Sequence, residues 1–467
     1  MVLWSNWFML VQKLRPAFSR ERTFLWFVVC LIGISIRSDL MGGTSIVRSL
    51  GLKADCYDRL LDFFHTKAVS SDALARLWTR IVLENFTSLI RINGRPVFVG
   101  DGIKVAKAGK KMPGVRLLHQ QSESNTKPEY IMGHSFQAIG VLCGRGKGVF
   151  SVPLISRIHE GVRFSPKDKR TLLDKMVELL GVLDVDTPCY FVLDAYYASK
   201  NMIIPLLERK WDLITRVKSN AVAYLTPTPE SQPKGRGRKK MYGEKIQIRD
   251  LALRENEMTK VESPVYGENN VHIRYLSVDL LWRPVGRLVR FVIVLHPLRG
   301  TIFLMGTDLS LSPIDIIRIY GYRFKIEVSF KQILRIIGGY AYHFWMMSMV
   351  ATKRKAKETY LHKKTEDYRN AVKRKINAYH LFVQTGIIAQ GMMMFLALSC
   401  PNLIWGNFGS WMRTMNVAAA PSEFVTSTAL RNTLTEFLND WNNYPILKKF
   451  IIERLDFSLV EQHFWAA

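Results

Sequence analysis

The chain has 467 residues, 48% of them apolar, which is ample for globular folding and excludes a mostly disordered protein. Its length suggests two to four domains. Sixty-six Lys and Arg against 39 Asp and Glu leave a net charge of +27, so a polyanionic partner is expected, either nucleic acid or an anionic membrane surface. The membrane alternative is the weaker. The apolar runs Phe24–Ile36 and Gly386–Cys400, the second interrupted by Gln390, both fall short of the roughly 20 residues needed to span a bilayer. The opening MVLWSNWFMLVQKLR lacks the basic leader and small-residue cleavage site of a signal peptide. Cys30, Cys56, Cys143, Cys189 and Cys400 form no CxxC pair and no histidines show HxxxH spacing, so any metal is expected to be a hard cation on carboxylates.

Residues 1–92 read as helices, through FLWFVVCLIGISI, CYDRLLDFFH and SDALARLWTRIVLENF. With Arg37, Arg48, Lys53 and Arg59 they could form a small DNA-binding module or a helical cap on the next domain. From residue 93 to 220 the pattern becomes α/β. RPVFVGDG is a short buried strand ending in a turn, and YIMGHSFQAIGVLC and GVFSVPLISRI are strands joined by CGRGKG. An amphipathic helix through PKDKRTLLDKMVELLGVL, with a Pro/Asp-rich start, the strand YFVLD, a helix through IIPLLERK and the strand WDLITRVKSN complete an α/β core.

Residues 221–306 break the rhythm. An exposed Pro/Gly/basic loop, TPTPESQPKGRGRKKMYG, precedes β-patterned segments, which together make an insertion long enough for a subdomain. Within 307–350, Ser312, Pro313 and Asp315 begin a helix predicted to run to Gly338. The rest, 351–467, is helical and basic: ten of the 23 residues Lys353–Lys375 are Lys or Arg.

Three acids stand where chemistry could sit. Asp101 and Asp194 each close a buried strand, the place where an α/β sheet opens its crevice, although Asp also favours turns and helix caps. Tyr320, Arg323, Glu327 and Lys331 recur at spacings of 3, 4 and 4, stacking on one helical face. That pattern is either a surface ion pair of Glu327 with Arg323 or Lys331, or an acid beside phosphate-binding cations. Three carboxylates can hold two metal ions about 4 Å apart, one activating an attacking oxygen and one stabilising a leaving oxygen.

Two strand-end acids, a β insertion and a helix bearing Tyr-x2-Arg-x3-Glu, at intervals of 93 residues (101 to 194) and 133 residues (194 to 327), resemble the DDE transposases of cut-and-paste, bacterial-type insertion sequences. The match extends over about 95–340, and GTDLSLSPIDIIRIYGYRFKIEVSFKQ is its most specific stretch. The resemblance implies an RNase H-like core, with Asp101, Asp194 and Glu327 as catalytic ligands of two Mg²⁺ or Mn²⁺ ions. Tyr320 and Arg323 would touch phosphates of double-stranded DNA at the transposon end. It further implies cleavage of transposon ends and joining to target DNA, a homodimer on the DNA ends, no membrane, and a cytoplasmic, nucleoid-associated location. The family's lysine seven residues after the glutamate is Leu334 here; Lys331 points within about 60° of it on a regular helix and can substitute.

Further DNA contacts are expected from Lys104, Lys107, Lys110 and Lys111 in a basic loop after the first acid, against the alternative of a solvated loop. Arg116 and His119 follow in the same stretch, and His134 lines the site or is structural. Trp282, the one tryptophan of the insertion, stacks on a flipped base or lies in the core. Two other functions remain in play: a transposase-derived DNA-binding protein that no longer cuts, and a stand-alone RNase H-fold nuclease.

Overall fold

The computed structural model describes residues 2–120, 128–145, 148–229, 238–353, 355–356, 358–440 and 444–458. Five helices come first: α1 (Val2–Gln12), α2 (Glu21–Ile36), α3 (Gly42–Ser49), α4 (Cys56–Phe64) and α5 (Ser71–Asn85). Of the 16 residues of α2, 13 are buried, so this helix has almost no free face. It is covered by helices from the other end of the chain, α10 (Glu366–Ser399) and α12 (Glu423–Asn439), with α11 (Pro401–Asn407) and α13 (Pro445–Ile452) beside them. The two helical ends therefore share one core, as a cap would. Arg37 is internal, donating to the carbonyls of Ile337 and Gly42, and Arg48 is paired with Asp39.

The short β1 (Arg91–Ile92) turns into β2 (Arg95–Ala106), followed by β3 (Arg116–His119), β4 (Tyr130–Arg145), β5 (Gly148–Ile158) and β6 (Val162–Arg163). A capping box at Thr171 and Asp174 starts α6 (Leu172–Leu183). Then come β7 (Cys189–Leu193), α7 (Lys200–Glu208) and β8 (Trp211–Arg216). Strand β2 lies between β7, parallel to it, and β4, antiparallel to it; β8 continues parallel beyond β7, and β5 pairs with β4.

The 221–306 region is β-rich as expected, with β9 (Val222–Tyr224), β10 (Lys245–Gln247), β11 (Thr259–Glu262), β12 (His272–Trp282), β13 (Arg287–His296) and β14 (Gly300–Gly306). Positions 230–237 of its basic loop lie outside the described residues. These strands extend the core sheet: β14 pairs antiparallel with β8, giving a sheet of 13 strands among the described residues.

Two expectations are corrected here. Asp101 does not end its strand. Hydrogen bonding with β4 carries β2 on to Ala106, with Asp101 opposite Ala138 and Gly102 opposite Gln137, so Asp-Gly makes no turn. The helix begun by Ser312, whose hydroxyl accepts from the Asp315 amide, is not continuous. It forms α8 (Pro313–Gly321), a tight turn through Tyr322–Phe324, α9 (Lys325–Gln332) and a π-helical turn, Ile333–Ile337. Amides of Tyr322 and Arg323 reach back three residues, to Ile319 and Tyr320, which tightens the backbone at the break. Tyr320 thus belongs to a different helix from Glu327 and Lys331, and Arg323 to the turn between them. The short β15 (Thr359–Tyr360) pairs with β6.

The apolar run from Gly386 belongs to α10, a 34-residue helix long and apolar enough to cross a membrane by length and composition. Its apolar window is 94% buried within the protein. Gln390 interrupts that run for a reason: its amide donates to the Ser329 carbonyl of α9 and to the fully buried carboxyl of Glu423. Burial pushes the Glu423 carboxyl above its ordinary range, and Gln390 partly offsets this. Gln390→Leu should therefore cost about 1–3 kcal/mol in denaturant unfolding, because it strands buried polar groups. The double variant Gln390→Leu/Glu423→Leu should recover part of that loss; additive losses would show that the two side chains are independent.

Candidate active site

Alternation along β2 places Val97, Val99 and Asp101 on one face, and the two valines pack with Ile316, Ile319 and Ile326 of α8 and α9. Val99 pairs with Val192 on the parallel strand β7, and Asp101 and Asp194 each lie two residues beyond that pair. The two acids thus stand side by side on neighbouring strands, which in a sheet are about 4.8 Å apart. Asp194 follows the end of β7, its carboxylate accepting from the Tyr196 amide at 3.0 Å and its carbonyl from the Thr215 hydroxyl at 2.8 Å.

Glu327 reaches the same place through Arg323. One guanidinium nitrogen of Arg323 donates to Asp101 Oδ2 at 2.9 Å and the other to Glu327 Oε1 at 2.8 Å. Residues 222 apart in sequence are joined by this contact. Burial pushes the Asp101 carboxyl up to about 6; Arg323 and the Gly102 amide oppose this, while Asp194 and Glu327 push it further up. Burial works against the charge of Arg323, but Asp101, Tyr320, Glu327 and Asp194 outweigh it and hold the guanidinium charged. Tyr320 is half-buried beside them, its hydroxyl pushed up by burial and pulled back by Arg323 and Arg216.

Three carboxylates against one guanidinium leave an excess of negative charge, all of it on oxygen, a donor set that suits a hard divalent cation. Among the described residues no group of three or more His, Cys, Asp or Glu is arranged to hold a metal; Arg323 holds two of the carboxylates instead. Glu327 is the open side of the cluster, with 55% of its side chain exposed, against 20% for Asp101.

The remaining candidates divide. Lys331 is exposed and makes no ion pair among the described residues, since the partner of Glu327 is Arg323. Lys110 is also exposed, whereas Lys104 donates to the His119 carbonyl and Lys111 to that of Met347. Lys107 is not a loop cation. It is 5% exposed, donates to the Tyr340 carbonyl and lies 5.2 Å from the Tyr379 ring centre, and burial lowers its pKa to about 8. Arg116 is paired with Glu160 and Glu358. His134 is fully buried, bonded to the Pro113 carbonyl. Trp282, at 6% exposure, sits in the core at the end of β12 and offers no free face for stacking. Arg216, an exposed cation at the end of β8 beside Tyr320, escaped sequence reasoning because only the sheet brings it there.

Because its surroundings disfavour a charged Asp101, Asp101→Asn should stabilise the protein in chelator, by on the order of 1–3 kcal/mol at pH 7. The folded pKa, about 6, lies above the ordinary 3.8, so the folded chain holds this proton more tightly. The wild type is thus unpenalised below about pH 4 and fully penalised above about pH 6, and the advantage of the variant should grow across that window. Thermal unfolding at pH 4, 5, 6 and 7 measures it; a constant difference would mean that Asp101 is not held in a disfavoured charge state.

No curated protein matches the chain. The cryo-EM structure of a piggyBac transposase synaptic complex with hairpin DNA aligns over 94% of this chain and 76% of that one, at 13% identity and a TM-score of 0.37, a likeness too slight to carry an argument. The family of transposase DDE domains matches residues 165–340, a span that includes Asp194, Glu327 and all of α8 and α9. That match makes residues 165–340 similar to a transposase DDE domain.

Proposed function

We propose that the protein is a DNA transposase that cleaves transposon ends and joins them to target DNA, with Asp101, Asp194 and Glu327 as its catalytic carboxylates. The observation that carries this reading is the Arg323 bridge between Asp101 and Glu327, beside an Asp194 in register with Asp101. The order β5-β4-β2-β7-β8, in which β5, β4 and β2 pair antiparallel and β2, β7 and β8 pair parallel, supports reading the core as RNase H-like, extended by the β insertion.

Mg²⁺ or Mn²⁺ bound by these carboxylates would activate the attacking oxygen, first of water and then of a 3′-hydroxyl, and stabilise the leaving one. Arg323, whose two terminal nitrogens are held by Asp101 and Glu327, would offer the same pair of donors to a phosphate once metal ions take over those carboxylates, and Tyr320 lies against it. Lys331, one turn beyond Glu327 on α9, stands free to take a phosphate from the other side. Lys104, Lys110 and Lys111 supply backbone contacts. Double-stranded DNA is the partner, a homodimer forms on the ends, and the protein works in the cytoplasm at the nucleoid. A DNA-binding derivative without cleavage is the second reading, favoured by the hold of Arg323 on two carboxylates.

Asp101→Asn, Asp194→Asn and Glu327→Gln should each abolish Mg²⁺-dependent strand cleavage while DNA binding persists; near-wild-type cleavage removes that residue from the set. Binding should fall roughly 10³–10⁵-fold between 50 and 200 mM salt if about 6–10 phosphates are neutralised. A wild type that binds with that dependence yet never cuts would establish the second reading.

Arg323→Ala and Lys331→Ala should each weaken binding to cleaved ends and slow strand joining. If Lys331→Ala joins ends like the wild type, Arg335 or a lysine after Asp101 is the phosphate ligand instead.

A further inference from the structure

Beyond Ala106, where β2 ends, the chain forms a loop through Lys107–Val115 on which a second segment, Tyr340–Ala356, is laid. Main-chain bonds fasten the two: the Met346 amide to the Lys111 carbonyl at 3.0 Å, Thr352 to Lys110 at 2.7 Å, and Leu117 to Ala356 at 2.8 Å. Met346 and Met349 point inward, forming a small core with Leu361 and Val372. Their neighbours point outward. Trp345 is 51% exposed, Met347 84% and Val350 68%. Trp345 lies over Gly109, where a Cβ would come within 3.8 Å of its ring.

The two stretches that build this tip, 102–122 and 340–357, contain no Asp or Glu, and Glu358, which follows them, is paired with Arg116 and Arg163. Lys110, Lys353 and Lys355 are exposed and their side chains pair with nothing among the described residues. Apolar side chains inserted at a base step are the means by which many proteins unstack and kink duplex DNA.

We propose that Trp345, Met347 and Val350 form a wedge that enters duplex DNA at a base step, with Lys110, Lys353 and Lys355 on the flanking phosphates. The proposal rests on the transposase reading for its DNA partner and goes beyond it in assigning a deformation. Its place follows from β2, which carries Asp101 at one point and the wedge support about 20 Å further along at strand spacing. The bend would let more of the basic surface reach the backbone, and would favour easily kinked pyrimidine–purine steps.

The test uses the full chain and duplexes of about 150 base pairs, near the persistence length of DNA. Wild-type protein should speed ligase-catalysed cyclisation about 10-fold and expose thymines at one step to permanganate. Trp345→Ser/Met347→Ser should lose both effects, bind straight duplex several-fold more weakly, and regain wild-type affinity on a duplex carrying a mismatch at the step. Because both side chains are exposed, the melting temperature should not move; if it does, Met347→Ser alone serves. DNA binding by the wild type with neither bending nor permanganate reactivity overturns the wedge and leaves the transposase reading intact. No DNA binding at all overturns the transposase reading itself. If the substitutions leave DNA deformation unchanged but abolish binding to phosphatidylserine vesicles, the tip is a lipid-surface contact and the wedge is wrong.

Discussion

Burying the Asp101 carboxylate beside two others is the constraint around which the site is arranged. A charge at that depth needs compensation, and Arg323 supplies it while reaching Glu327 as well. The guanidinium is in place because the chain breaks between α8 and α9: a continuous helix would put residue 323 on a regular face, whereas the tight turn at Tyr322–Phe324 sets it over the end of β7 and the middle of β2. Compensation by one cation is incomplete. The residual negative charge makes the same three oxygens-only groups suited to divalent ions.

Support for the cluster comes from far away in sequence. Gln390 of α10 holds the Ser329 carbonyl, two residues beyond Glu327, and Gly386 and Gly339 pack so closely that a Cβ on Gly386 would lie 2.6 Å from the Gly339 Cα. The α10 helix is in turn enclosed by α2, α5 and α12. The helical ends thus act on the site mechanically: they fix the angle at which α9 meets the sheet. Removing either end should loosen Glu327 before it loosens Asp101 or Asp194, which sit on strands.

Strand β2 carries Asp101 and leads directly into the loop that supports the proposed wedge, so a deformation beyond the strand's end and chemistry in its middle would be held in fixed relation. Rigid elements place groups more accurately than loops do. Main-chain bonds from Met346 to Lys111, Thr352 to Lys110 and Leu117 to Ala356 fasten the apolar tip to the loop after β2 despite its lack of regular structure.

Local pattern in the sequence was enough for much of this. Short apolar runs bounded by turns marked β2, β4, β5, β7 and β8, the Ser312-Pro313-Asp315 start marked α8, and Tyr-x2-Arg-x3-Glu marked a stretch of α8 and α9 that lies within the DDE-domain match. Those signals are local because strand alternation, capping and helical spacing are properties of a few neighbouring residues. What the sequence could not contain was register and depth. Whether Asp101 ends its strand depends on how far β4 pairs with it; whether Lys107 meets DNA or the Tyr340 carbonyl depends on a segment more than 200 residues on; whether Trp282 stacks on a base depends on what covers it. The helix break at 322–324 carries no proline, and the partner choice of Glu327, Arg323 over Lys331, followed from Asp101 pulling the guanidinium between them. Each of these was decided by long-range packing, where the burial of a charge or a ring is set by residues brought together only when the chain has folded.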